Sequence, residues 1–73
     1  MSITKEHLEG KARHALIRRG ALGRTYTYTH HKRWAGGENI VTVFCSESGL
    51  YLQGYEDAVI GKFVTTYFGP KQP

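Results

Sequence analysis

Apolar residues recur at Leu8, Ala12, Ala15 and Leu16, spaced i, i+4, i+7 and i+8, and this narrow stripe predicts an amphipathic helix near the start of the chain. The ends of that helix are marked as well. Thr4 is placed as N-cap, with Ile3 before it and Leu8 after it as a hydrophobic staple. Glu6 and Glu9 sit toward the positive end of the helix dipole, Arg18 and Arg19 sit toward the negative end, and Gly20 is the natural stop. Gly10 inside the pattern costs about 1 kcal/mol relative to Ala, so the helix is expected to depend on docking against the rest of the protein.

After Gly20 the period shortens to two. From Arg24 to His31, Thr25, Thr27 and Thr29 alternate with Tyr26, Tyr28 and His30, which predicts a first strand. Ala35 to Asn39 reads as a flexible loop. Ile40 to Cys45, nearly continuous in Val, Ile, Phe and Thr, reads as a central strand buried on at least one face. Ser46 to Gly49 has turn chemistry, so Leu50 to Gln53 is expected to return antiparallel as a hairpin partner. Gly54 to Asp57 reads as another turn, and Val59 to Phe68 as a last strand, with a bulge or short helical turn near Asp57 to Gly61. The order α-β-β-β-β predicts an α+β fold: one N-terminal helix packed on a small, mostly antiparallel sheet of three or four strands. Residues 1–68 are expected to form a single compact domain and 69–73 a flexible C-terminal tail.

Length and composition narrow the function classes. A chain of 73 residues is near the size at which burial only just offsets the entropy of ordering, and it leaves little room for a deep active-site cleft. Its lone cysteine, Cys45, permits no internal disulfide and is expected in the core, and a reducing, cytoplasmic setting follows. No apolar stretch approaches the roughly 20 residues of a membrane span, and the first residues lack the apolar run of a signal peptide, so a complete, soluble, intracellular chain is expected.

Charge is divided sharply along the chain. Residues 1–34 carry eight Lys and Arg against two Glu, a net of +6, and residues 35–73 carry two Lys against four acidic residues, a net of −2. All four histidines lie in the front half. Such asymmetry points to an anionic partner, either nucleic acid or an acidic protein surface. On the predicted helix His7, Lys11, His14 and Arg18 form a cationic stripe beside the apolar one, continued by Arg19 and Arg24 past the helix end. Lys32, Arg33 and Trp34 follow the first strand.

Tyr26 and Tyr28 share one strand face. They either stack single-stranded bases while neighbouring cations neutralise phosphates, or face the core with their hydroxyls at the rim. Trp34, beside Lys32 and Arg33, is a candidate interface anchor, and Leu22 is another apolar candidate. His30 and His31 are adjacent in a strand and point to opposite faces, and His7 and His14 have no obvious third ligand, so no metal site is expected. No phosphate loop, zinc-finger spacing or nucleophile elbow is present, and neither a cofactor nor enzymatic activity is expected.

Two resemblances bear on function. Phe44 to Leu50 and Val64 to Pro70 resemble the closing strands of small colicin-type RNase toxin domains, which would imply a helix ahead of a sheet and RNA cleavage; the catalytic set such a family requires is not in place here. In its size, basic front half, single domain and lack of a catalytic motif, the whole chain resembles small phage-encoded regulators that bind host RNA polymerase. That second resemblance implies a protein partner in the host bacterial cytoplasm, bound near nucleic acid, with effects on initiation or termination, and it assigns no residue a role. The expected binding surface is Lys11, His14, Arg18, Arg19, Arg24, Tyr26, Tyr28, Lys32, Arg33 and Trp34, on a monomer that touches no membrane. Direct binding of RNA or single-stranded nucleic acid by the same residues is the first alternative, and a small RNase toxin is the second.

Overall fold

A computed structural model describes residues 5–32, 39–57 and 59–70. Its elements are α1 (Lys5–Arg18), β1 (Tyr26–Lys32), β2 (Asn39–Cys45), β3 (Leu50–Asp57) and β4 (Lys62–Pro70). The strands form one antiparallel meander in the order β1-β2-β3-β4, with α1 packed on one face. This is the small α+β fold expected from the pattern. The proposed cap and staple at Thr4 and Ile3 lie outside the described residues.

The helix stripe does what its spacing requires: Leu8, Ala12 and Leu16 are buried and Ala15 packs beside them. Gly20 ends the helix at a φ of 94°, a left-handed conformation that only Gly adopts at no steric cost. Gly20 N–H donates to Ile17 O and Ala21 N–H to Leu16 O, a Schellman arrangement that satisfies two terminal carbonyls and tucks Ala21 against Leu16 in the core.

β2 is the central strand and is buried on both faces. Val41, Val43 and Cys45 face the helix, while Ile40 and Thr42, on the face without a helix, are buried between the side chains of the flanking strands. Leu52, paired with Val43, completes the core layer, and Tyr26, Tyr28, Leu50 and Phe63 pack around it. Burying such a layer stabilises by about 25 cal/mol per Å² of apolar surface removed from water, which is the main force holding a disulfide-free chain of this size. The β2–β3 hairpin forms as expected, closed by Gly49 N–H donating to Cys45 O at 2.9 Å.

The strand bounds depart from the sequence expectation at several points. Gly54 to Asp57 is not a turn; it continues β3, with Gly54 opposite Thr65 and Glu56 opposite Phe63. Its Gly-Glu-Asp composition reflects particular roles. Gly54 lies under the Phe63 ring, Glu56 pairs with Lys11, and Asp57 accepts hydrogen bonds from Val59 and Ile60 at the start of the true turn. Gly69 and Pro70 are likewise not tail. They extend β4 opposite Tyr51 and Leu50, and the Tyr67 hydroxyl donates to Pro70 O at 2.9 Å. Residues 71–73 lie outside the described residues.

Of the bulge or short helical turn expected near Asp57 to Gly61, the turn forms, with Gly61 N–H donating to Asp57 O at 2.8 Å, so the last strand starts at Lys62 rather than Val59, and a bulge lies within β4. Gln53 pairs with Tyr67 and Gly54 with Thr65, so Thr66 is the extra residue. Side chains alternate faces along a strand, so this insertion brings Phe63 and Phe68 to the same helix-side face despite their odd spacing.

Candidate partner-binding site

Where α1 crosses the β4 side of the sheet it leaves an open groove of about 520 Å³, lined by Lys11, His14, Ala15, Arg18, Arg19, Phe63 and Thr65. Four of the cations expected to form the binding surface therefore meet here. They fall into three states. Lys11 Nζ donates to both Glu56 carboxylate oxygens at 3.0 and 3.1 Å, so its charge is matched within the protein and it serves as wall. Arg19 is held from two sides: Nη1 donates to Ala15 O at 3.1 Å, and the guanidinium carbon lies 5.6 Å from the centre of the Phe68 ring. His14 and Arg18, one helical turn apart, are exposed, and among the described residues no carboxylate pairs with either.

The segment between α1 and β1 is pinned at several points, which fixes what it presents. The Tyr26 hydroxyl donates to Ala21 O at 3.2 Å and accepts from Gly23 N–H at 3.1 Å. Thr25 N–H donates to Glu47 Oε1 at 3.1 Å, and this backbone hydrogen bond is the largest cause holding the Glu47 carboxyl below its ordinary value. A Cβ at Gly23 would lie 2.5 Å from Glu47 Oε1 and 2.7 Å from Cys45 Sγ, so a side chain here would displace the Glu47 carboxylate and press on the buried Cys45 thiol. Leu22, 68% exposed, and Arg24 project from this clamped segment close to the groove's Arg19 end in the sequence.

Tyr26 and Tyr28 belong to the core layer, with the Tyr26 hydroxyl at the rim, and they form no stacking platform. Sequence alternation alone left both faces open to them; coverage by α1 decides it. His30 and His31 do point apart. His30 Nε2 meets Glu9 Oε2 under the helix, with its Nδ1 buried and without a partner, and His31 lies 3.5 Å from Gln53 Nε2 on the opposite face.

The single continuous basic face expected from the sequence is instead divided. The groove lies over β4, whereas Arg24 and Lys32 flank β1, the other edge of the sheet. Arg33 and Trp34 lie outside the described residues. Cys45 is fully buried, as its apolar neighbours implied.

Three site features escaped the sequence reading. Phe63 and Thr65 form the groove's sheet wall and Phe68 supports Arg19, but the Thr66 bulge that aligns them leaves no local signature. The uncovered sheet face carries Phe44, Tyr51 and Tyr67, with the two tyrosine rings 5.6 Å apart and tilted by 57°, beside a shallow groove of about 500 Å³. The Tyr51-Gln53-Tyr55 alternation was its available signal.

Among the described residues no cluster of three or more His, Cys, Asp or Glu could hold a metal, and no helix is long and apolar enough to cross a membrane. No protein-family model matches the chain, and no curated protein or solved structure matches it.

Proposed function

We propose that this protein is a non-enzymatic binding module that engages an acidic surface of a partner protein through the α1–β4 groove, with bacterial RNA polymerase the partner to which its layout points. The observation that carries the reading is the groove itself: His14 and Arg18 are exposed and unmatched, Arg19 is preoriented, and apolar side chains are interleaved with them. Cations set beside apolar contacts suit a protein interface, where charge steers encounter and fixes orientation while buried apolar groups supply affinity. Phe68 and Leu22, 38% and 68% exposed, are the available anchors. Binding near the polymerase's nucleic-acid path would alter initiation or termination.

A second reading, direct binding of single-stranded nucleic acid, is favoured by a different surface. Tyr51, Tyr67 and Phe44 on the uncovered sheet face are the kind of side chains on which bases stack. The two readings separate in one titration series, with purified bacterial RNA polymerase and a single-stranded RNA oligonucleotide as alternative analytes at low and physiological salt. The protein-partner reading expects saturable polymerase binding and no measurable oligonucleotide binding even at low salt. Failure to bind the polymerase at either salt, with saturable oligonucleotide binding whose affinity falls steeply with salt, would replace it with the second reading.

A further inference from the structure

The two edges of the sheet are unequal. β4 is guarded: Thr66 bulges, and the strand closes on Pro70, which has no N–H to offer. β1 has neither device. Its seven residues, Tyr26 to Lys32, pair in unbroken register with β2 and, among the described residues, with no other strand.

Hydrogen-bond alternation identifies what that edge exposes. Ser46 N–H donates to Thr25 O, so Thr25, Thr27, Thr29 and His31 turn their backbone groups toward β2. Tyr26, Tyr28, His30 and Lys32 therefore direct their N–H and C=O groups outward, in an alternating row ready to receive another strand. Their side chains are anchored on the helix side: Tyr26 and Tyr28 in the core layer, and His30 against Glu9. The edge is thus rigid before anything binds, which lowers the entropy cost of association.

Charge selects the occupant. From Arg24 to Lys32 no acidic residue occurs, and exposed Arg24 and Lys32 stand at the two ends of the strand. Eight residues of extended chain separate them by about 27 Å. A second copy pairing antiparallel about Tyr28 would set Arg24 of one chain against Lys32 of the other, like charge on like. We infer that β1 is a strand-addition site for an extended segment of a partner protein bearing carboxylates at both ends. Main-chain hydrogen bonds would supply affinity there, and the terminal cations would supply register. This site lies across the sheet from the α1–β4 groove and does not depend on the function proposed for it.

The full chain is short enough for chemical synthesis, with Cys45 as a ligation point, so the backbone itself can be altered. N-methylation of Tyr28 removes one outward N–H and keeps the side chain. The probe is the peptide Glu-Val-Thr-Val-Thr-Val-Thr-Val-Glu, with its Lys-for-Glu counterpart as control, followed by titration and amide hydrogen exchange. The expected result is saturable binding of the acidic probe, exchange at Tyr28 and His30 slowed at least about tenfold, and affinity reduced at least about tenfold by N-methylation with an unchanged thermal melt. Arg24→Ser with Lys32→Ser should weaken binding, and Arg18→Ala with Arg19→Ala should not. The inference is overturned by absence of binding, equal binding of the Lys peptide, indifference to N-methylation, or loss of binding only in the groove variant. Self-association of the free chain through this edge would also overturn it, since the occupant would then be a second copy.

Discussion

One substitution, Gly to Ala, is expected to act with opposite sign at two positions. Gly10 lies within α1 and a Cβ built there meets nothing within 4 Å. Its replacement removes only the conformational freedom of glycine and should stabilise by about 0.8–1 kcal/mol. Gly54 lies in β3, and a Cβ there would sit 2.6 Å from two Phe63 ring carbons and 2.6 Å from the Val64 carbonyl oxygen. Ordinary carbon contacts are about 3.5–4.0 Å, so roughly 1 Å of displacement is needed. The Phe63 ring can swing, but Val64 O belongs to the β3–β4 ladder and cannot move without disturbing pairing at the adjacent bulge. Overpacking of this kind costs about 1–3 kcal/mol, and the backbone contact places Gly54→Ala at the upper end. At about 0.05–0.15 kcal/mol per residue the whole chain holds on the order of 4–11 kcal/mol, so that loss is a large fraction of the total. Each kcal/mol moves Tm by about 4–8 °C in a domain of this size, and thermal melts followed by circular dichroism should show Gly10→Ala above the parent and Gly54→Ala at least about 8 °C below it. If Gly54→Ala melted with the parent, Gly54 would not lie beneath Phe63 in a continuous β3, and a turn at Gly54 would return as the better description.

Other consequences are open to measurement. Leu16→Ala, at a fully buried position beneath the Schellman cap, should cost about 2–5 kcal/mol, read as a lowered midpoint in urea titration; a loss under 1 kcal/mol would contradict the described core. A double-mutant cycle on Lys11 and Glu56, a partly exposed pair, should give a coupling of no more than about 1 kcal/mol, and a coupling well above that would contradict a solvent-screened pair. Tyr26→Phe removes the donor to Ala21 O and the acceptor for Gly23 N–H, with an expected loss of about 0.5–1.5 kcal/mol per hydrogen bond. Glu47 has a folded-state value lowered from 4.5, so its contribution is present above that pH and is lost as pH falls through the folded value. Glu47→Gln should therefore lose less stability than the parent on acidification through this range, and parallel melting curves would refute the Thr25–Glu47 hydrogen bond.

Much of the architecture was legible because it rests on local rules. The Leu8-Ala12-Leu16 stripe, the stop at Gly20, the β2–β3 hairpin, the burial of Cys45 and the opposed histidines each follow from periodicity or turn chemistry within a short window. The misreadings share another cause, which is long-range pairing. Glu56 looks like a turn residue until Lys11, forty-five positions away, neutralises it. Gly54 looks like a breaker until Phe63 fills the space above it, and Pro70 looks like tail until Leu50 pairs with it. The same holds for the candidate site. The cationic helix face was readable, but its second wall depends on the Thr66 bulge, and the division between groove and β1 edge depends on strand order. Neither is encoded in a local pattern.

The central claim is that His14, Arg18 and Arg19 in the α1–β4 groove form the surface that engages an acidic partner. Its most direct test is the affinity for purified bacterial RNA polymerase of the parent chain against Arg18→Ala combined with Arg19→Ala, at physiological salt, with circular dichroism confirming that both are folded. Parent binding with at least about a tenfold loss in the double variant, equivalent to about 1.4 kcal/mol, is the predicted result. Equal affinities, or no measurable affinity of the folded parent, would contradict the account.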